Sequence, residues 1–256
     1  STDGTVHCCY NSGPHRGAMV CRERAGNGAM FLCLYHSLAF DTEGKLVNRP
    51  GAEAYPEGAQ REGRHNLVPV ANLDHYRGLY FVRFAEGEET LQSYLGGAAE
   101  FIDLVMDQAE DGMEIVGGTQ EYGFDANWKL LCENSFDGYH GLPTHATYFD
   151  YVKSKPGSLV EVSIDGDAYD LGHGHAVVEY RAPWGRPVAQ SVPAWGEERE
   201  QEVIASRARL EQRFGADRAE RMATKNRNLL GFPNFVLNDI MAITARTFYP
   251  HAPDRQ

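Results

Sequence analysis

The sequence predicts an α+β fold in two parts, on three observations. Residues 1 to about 88 are rich in loop-formers and in β-branched and aromatic residues. From Glu88 onward apolar residues recur at spacings of three and four. Helical and strand-like runs then follow one another without the βα alternation of a parallel sheet.

Taken in order, Thr5–Tyr10 reads as a strand already under way, and Gly and Pro punctuate the stretch from Gly44 to Gly63. Leu79–Phe84 is strand-like by its aromatic and β-branched content. The change of pattern near residues 85–90 sets domains at 1–88 and 89–256. Leu91, Tyr94, Leu95, Ala98, Phe101, Ile102 and Val105 form the apolar stripe of an amphipathic helix. Leu159–Ile164 and Ala176–Tyr180 read as strands. Residues 197–228 are charged and helical, with Val203, Ile204, Leu210 and Phe214 facing a sheet. Phe232, Phe235 and Leu237 are expected in the core or a pocket wall, Trp128 and Trp184 in the core, and Ile240–Tyr249 in a strand. The abrupt start and the short polar end suggest a fragment of a longer subunit.

Composition narrows the function. The 256 residues are 42% apolar and carry a formal net charge of −12. That balance opposes nucleic-acid binding, which needs a basic face. An acidic redox partner would require a local basic patch. No run approaches the roughly 18 apolar residues of a membrane span, and no signal-peptide pattern opens the sequence. Five cysteines (8, 9, 21, 33 and 132) do not form a disulfide framework in a chain of this length. The expected compartment is the cytoplasm.

The chemistry concentrates in residues 127–145. His140 and His145 stand five apart, with Asp137 three residues ahead of the first. Imidazole suits iron, zinc and copper, so a His pair beside a carboxylate reads first as a metal site. Pro143 between them breaks any continuous helix, so same-face helical spacing is not required. A second constellation lies upstream, at His15-Arg16-Gly17 and Cys33-Leu34-Tyr35-His36, with 17 residues between His15 and Cys33. By contrast, His173-Gly174-His175 sits in a Gly-rich turn between strands and reads as a turn rather than a metal pair.

Together these motifs resemble the large (α) subunit of the Rieske non-haem iron aromatic ring-hydroxylating dioxygenases. Tyr10-Asn11, Pro14, Ala18 and Cys21-Arg22 resemble the family's flanks as well. The Asn134–Asp137 spacing is more similar to the benzoate and p-cumate group than to naphthalene-type members. The resemblance implies a Rieske-type β domain followed by a helix-grip (START-like) catalytic domain, both incomplete here. It implies a mononuclear Fe(II) on His140 and His145, within a two-histidine, one-carboxylate set. The family's third ligand lies downstream of Phe-Pro-Asn, here Phe232–Asn234, only 22 residues before the end. It is expected outside this chain, with Asp239 and Asp254 as fallbacks. Asp137 matches the acid that joins the iron histidine to a Rieske histidine of a neighbouring subunit. Asp137 and Asn134 are thus the expected catalytic residues, and Glu133 is expected to line or support the pocket.

A Rieske [2Fe-2S] cluster takes two cysteines on one iron and two histidines on the other. The resemblance assigns His15, Cys33 and His36 to it. The family's first cysteine falls at position 13, where this chain has Gly13. Three readings stay open here: the cluster is lost, Cys8, Cys9 or Cys21 substitutes, or the glycine is not the natural residue.

The implied activity adds dioxygen to an aromatic ring as a cis-diol. NADH supplies the electrons indirectly, through a reductase or ferredoxin. The implied assembly is an α3 or α3β3 oligomer, and the expected substrate an aromatic carboxylate. A Rieske monooxygenase or demethylase and a non-catalytic remnant are the alternatives.

Overall fold

The computed structural model describes residues 1–56, 63–154, 165–181, 188, 196–240 and 242–256. The expected strand at 159–164 and Trp184 lie outside these. The chain divides into two compact units, Ser1–Leu91 and Gln92–Gln256.

The first unit is built from short strands. Strands β1 (Phe31–Leu32), β2 (Ala39–Phe40) and β3 (Leu46–Asn48) form an antiparallel sheet in that order. Strands β4 (Asn72–Tyr76) and β5 (Leu79–Arg83) form a hairpin. Its turn residues, Arg77 and Gly78, have φ of 53° and 82°. Two consecutive positive φ values make the two-residue turn whose twist matches the flanking strands. Val20, Cys33, Leu38, Phe40 and Leu67 make the core, with Cys9, Ala18 and Leu46 packed against it. The strand expected at Thr5–Tyr10 is reduced to one bridge, Cys9 to Pro69. Cys8 and Tyr10 exchange two backbone hydrogen bonds with residues 68–70, and the chain then turns away. Asn11 causes the turn: its Oδ1 accepts from the amides of Val20 and Cys21, closing the loop that carries His15.

The second unit centres on a five-stranded antiparallel sheet, in the order β10-β9-β8-β7-β6. These are β6 (Asp165–Gly172), β7 (His175–Arg181), β8 (Lys225–Gly231), β9 (Phe235–Asp239) and β10 (Ile243–Thr247). His173 and Gly174 form the β6–β7 turn with φ of 50° and 80°, as the turn reading requires. The sheet carries different chemistry on its two faces because β8 alternates. Leu230 and the paired Val236 point toward helix α3 (Trp128–Phe136), where Cys132 and Phe248 complete a cluster flanked by Trp128, Leu131 and Phe136. Arg227 and Leu229 point the other way, toward helices α2 (Ala98–Met106) and α7 (Ala216–Thr224).

Three expectations are corrected. The helix over 91–105 is two, α1 (Leu91–Leu95) and α2, because Gly96 takes a φ of 46° and Gly97 lies against Leu171. A Cβ on Gly97 would stand 3.3 Å from Leu171 Cδ2. The helical segment 197–228 is α6 (Glu197–Phe214) and α7, broken at Gly215, and from Lys225 it is strand. Ile204 is exposed, whereas Val203 and Leu210 are buried. Spacing explains this: Val203 and Leu210, two turns apart, share a helix face, and Ile204 is turned off it. Finally, β10 spans only Ile243–Thr247, and Phe235–Asp239 is a fully buried strand of its own.

On the α2/α7 face, Glu179, Arg227 and Asp239 stand opposite one another on three adjacent strands, all about 1% exposed. Arg227 Nε donates to Glu179 Oε1 (2.9 Å) and its Nη1 to Asp239 Oδ2 (3.0 Å). Gln108 Nε2 donates to the same Asp239 oxygen (2.8 Å), and Arg221 Nε to Glu179. Removing one member of such a set strands an uncompensated buried charge, which costs about 3–5 kcal/mol. Arg227→Ala is therefore expected to destabilise the chain by about that amount, read as a lower denaturant midpoint by tryptophan fluorescence. An unchanged midpoint would show that the ladder contributes nothing.

Candidate metal centres

Helix α3 delivers the histidine motif. Asn127 caps its start, its side chain accepting from the Lys129 amide (3.0 Å), as N-cap residues do. Cys132 anchors the middle of α3 in the cluster with Leu230 and Val236. Its thiol is pushed up to about 11 by burial, with Glu133 adding, and its Sγ lies 3.6 Å from the Pro233 carbonyl oxygen. It is a packing residue. The helix stops at Asp137, whose backbone is extended. Gly138 then passes over the sheet, where a Cβ on it would meet Val178 Cγ1 at 3.7 Å.

Asp137 uses both carboxylate oxygens. Oδ1 accepts from the Tyr139 amide (2.8 Å), and Oδ2 accepts from His140 Nδ1 (3.0 Å). The Tyr139 amide first, and then the His140 bonds, hold its carboxyl below the usual aspartate range. A carboxylate has no proton to give, so the His140 proton sits on Nδ1. Nε2 then carries the lone pair, and Asn134 Nδ2 donates to it (3.2 Å). The turn of helix at Gly141–Thr144 returns His145 so that the two rings stand 5.3 Å apart, edge to face. His145 is exposed and opens helix α5 (Ala146–Lys153), its carbonyl accepting from the Phe149 amide.

These residues fit part of a mononuclear iron site. A ring whose Nδ1–H is held by a carboxylate presents Nε2 as a ligand, the usual outer-shell arrangement for a metal histidine. Among the described residues, no third His, Cys, Asp or Glu converges with them. Asp239 is excluded as a fallback by its buried bonds to Arg227 and Gln108. Asp254 is excluded by place. Its neighbour Pro253 accepts from Asn127 at the start of α3, nine residues (about 13 Å) from the end that leads to His140.

The first unit brings His15, Cys33 and His36 to neighbouring loop tips. His15 Nδ1 and His36 Nδ1 lie 3.1 Å apart, and Tyr35 packs on His36 with ring centroids 4.2 Å apart. Desolvation, then His36 and Arg16, lower the His15 pKa, which favours its neutral ring. Cys33 is buried in the core, and its carbonyl accepts from Ser37 (2.9 Å) to close its own loop. Gly13 is buried opposite it. A Cβ there would lie 3.6 Å from Cys33 Sγ and 3.2 Å from the Ala18 carbonyl oxygen. The residues present therefore do not fit a complete [2Fe-2S] cluster: they offer three ligands and a space where a fourth would start.

His173 and His175 form no metal pair. Buried His175 spends both nitrogens on the backbone, on the Tyr94 carbonyl (2.9 Å) and the Phe232 amide (2.9 Å). Two site-building contacts had no signal in the sequence. The Tyr139 amide reaches Asp137 through the backbone, and Val178, 40 residues away, lies where a side chain at position 138 would point.

Comparison with known proteins agrees with this layout. Residues 112–256 match the model of the ring hydroxylating alpha subunit (catalytic domain), and residues 1–71 match the Rieske [2Fe-2S] domain. The chain is 33% identical over 266 residues to toluate 1,2-dioxygenase subunit alpha of Pseudomonas putida, covering 99% of this chain and 56% of that protein. It is 30% identical to the 2-halobenzoate 1,2-dioxygenase large subunit of Burkholderia cepacia, over 98% of this chain and 54% of the other. The crystal structure of naphthalene 1,2-dioxygenase from Rhodococcus sp. bound to indole superposes with a TM-score of 0.78 at 28% identity, covering 99% of this chain and 58% of that one. The chain thus spans about half the length of the curated relatives it matches. With an α+β fold, a Rieske domain first and the paired histidines after it, this chain belongs to the ring-hydroxylating alpha-subunit family of Rieske non-haem iron oxygenases.

Proposed function

We propose that this chain is part of the oxygenase component of an aromatic ring-hydroxylating dioxygenase, which adds dioxygen to a ring as a cis-diol. The observation that carries this reading is the state of His140: Nδ1 is tied to Asp137 while Nε2 is left as a lone pair beside His145. His140 and His145 would hold Fe(II), which supplies dioxygen activation when bound. In the subunit as a whole, electrons come from NADH through a reductase or ferredoxin, in a cytoplasmic α3 or α3β3 assembly. The substrate proposed is an aromatic carboxylate, on the strength of the toluate and halobenzoate relatives. Residues 1–88 and 89–256 serve as the Rieske and catalytic parts.

The chain's own residues act by positioning. Asp137, itself held by the Tyr139 amide, fixes the His140 tautomer and ring plane through its bond to Nδ1. Asn134 donates to Nε2, so its carboxamide would turn aside for a ligand bond to form there. A side chain at position 138 would touch Val178, so glycine there lets this loop run over the sheet without that contact. A non-catalytic remnant is the competing reading, and Gly13 favours it. Metal content distinguishes the two, since a remnant holds no mononuclear iron.

Two outcomes test the assignment in the intact subunit. His140→Ala is expected to abolish both mononuclear iron and turnover of an aromatic carboxylate. Full iron occupancy in that variant would sink the role given to His140. Asp137→Asn keeps the shape but offers one acceptor oxygen where two donors compete. Its affinity for Fe(II), or for Co(II) as a probe, is expected to fall about 10- to 100-fold, the usual cost of losing an outer-shell partner. Calorimetric titration checks this, and equal affinity in the two proteins would mean that Asp137 does not prepare the ligand.

A further inference from the structure

We infer that the first unit is a Rieske frame with a single defect: its loops are set for a two-iron centre that the chain cannot hold, because position 13 presents no thiolate, and Gly13→Cys alone restores it. This rests on the family membership of residues 1–71 and not on the dioxygenase reading.

Three observations carry it. First, the imidazole pair is already spaced for one ion. At metal–nitrogen distances of about 2.0–2.1 Å, Nδ1 atoms 3.1 Å apart subtend roughly 100° at the metal, close to a tetrahedral corner. Second, Cys33 does not converge with that pair on one point; among the described residues no group of three such ligands does. The imidazole pair and Cys33 thus stand apart, which matches the division of a Rieske centre, with the histidines on one iron and the cysteines on the other. Third, the Cys33 corner has a place for a partner. Two thiolates on one tetrahedral ion lie about 3.8 Å apart at metal–sulfur distances of about 2.3 Å. A Cβ on Gly13 stands 3.6 Å from Cys33 Sγ, so a sulfur carried on it reaches that spacing with little backbone movement. The φ of Gly13 is not in the left-handed region, so a side chain there is not strained. The only tight contact is the Ala18 carbonyl oxygen at 3.2 Å.

The other thiols of this unit do not fill the gap. Cys9 Sγ is turned to the Glu43 carbonyl (3.9 Å) and packs in the core, and burial raises its pKa. Cys21 is exposed, and Asn11 ties its backbone through both its amide and its carbonyl. Cys8 leads into Cys9, with its carbonyl bonded to the Val70 amide. A lone thiolate with two imidazoles is then one ligand short. Losing even an outer-shell partner lowers metal affinity about 10- to 100-fold, and a missing ligand costs at least as much.

The test is anaerobic reconstitution of the whole chain with ferric iron and sulfide, in three versions: unchanged, Gly13→Cys and Gly13→Ala. The readouts are acid-labile sulfide, visible absorption and the paramagnetic signal after reduction, none of which depends on turnover. The unchanged chain and Gly13→Ala are expected to retain less than about one-tenth of the sulfide of Gly13→Cys, and only Gly13→Cys to show the Rieske signals. A full signal from the unchanged chain would overturn the inference. So would a signal from Gly13→Ala, since packing and not ligation would then be the defect. A Gly13→Cys chain that folds without a cluster, or fails to fold where Gly13→Ala does, would overturn it too, because the frame would then not accept the thiolate. All of these results leave the assignment of His140 and His145 to iron untouched.

Discussion

Arg227 is the residue on which the second unit turns. Its guanidinium lies among the central strands of the sheet, fully buried, between the carboxylates of Glu179 and Asp239. Bringing three charges out of water is costly unless each is paired and hydrogen-bonded. The ladder is acceptable only with β7, β8 and β9 in this one register, so it specifies the sheet as much as it stabilises it. Arg221 and Gln108 then draw α7 and the end of α2 to the same face.

The parity of β8 carries that constraint to the metal side. With Arg227 committed to one face, Leu230 must point to the other, where Cys132 of α3 packs on it. The seat of α3 sets Asp137 and the loop to His145. A one-residue slip in β8 would exchange the charged ladder for the apolar floor of the site. The positions of the histidines thus depend on an ion ladder they never touch.

Much of the site was legible in the sequence because its signals are local. His140, His145, Asp137 and Asn134 lie within twelve residues, and their contacts are those of a helix end and one short turn. Gly13, His15, Cys33 and His36 were legible by spacing; His15 stands beside His36 and Gly13 faces Cys33. The fold was less so wherever tertiary context overrode pattern. Lys225–Gly231 continues a helical-looking charged run, and only its pairing with two strands makes it β. Phe235–Asp239 is buried on both faces and so has no alternation to read. The break at Gly96–Gly97 reflects the approach of Leu171, from far along the chain. Asp239 looked like a spare ligand, since a buried ion pair leaves no trace in a single sequence.

The hydrogen bond from Asn134 to His140 Nε2 has a consequence for the kinetics of metallation. The amide is a placeholder, sitting where a metal bond forms while the ring is already oriented and its proton parked on the far nitrogen. An arriving ion has to displace one side-chain donor and exchange it for a coordinate bond. No proton has to leave His140, and no backbone has to rearrange around it. Clearing Asn134 from Nε2 takes only rotation of an exposed carboxamide, a nanosecond event, so this hydrogen bond is no obstacle to capture at this histidine.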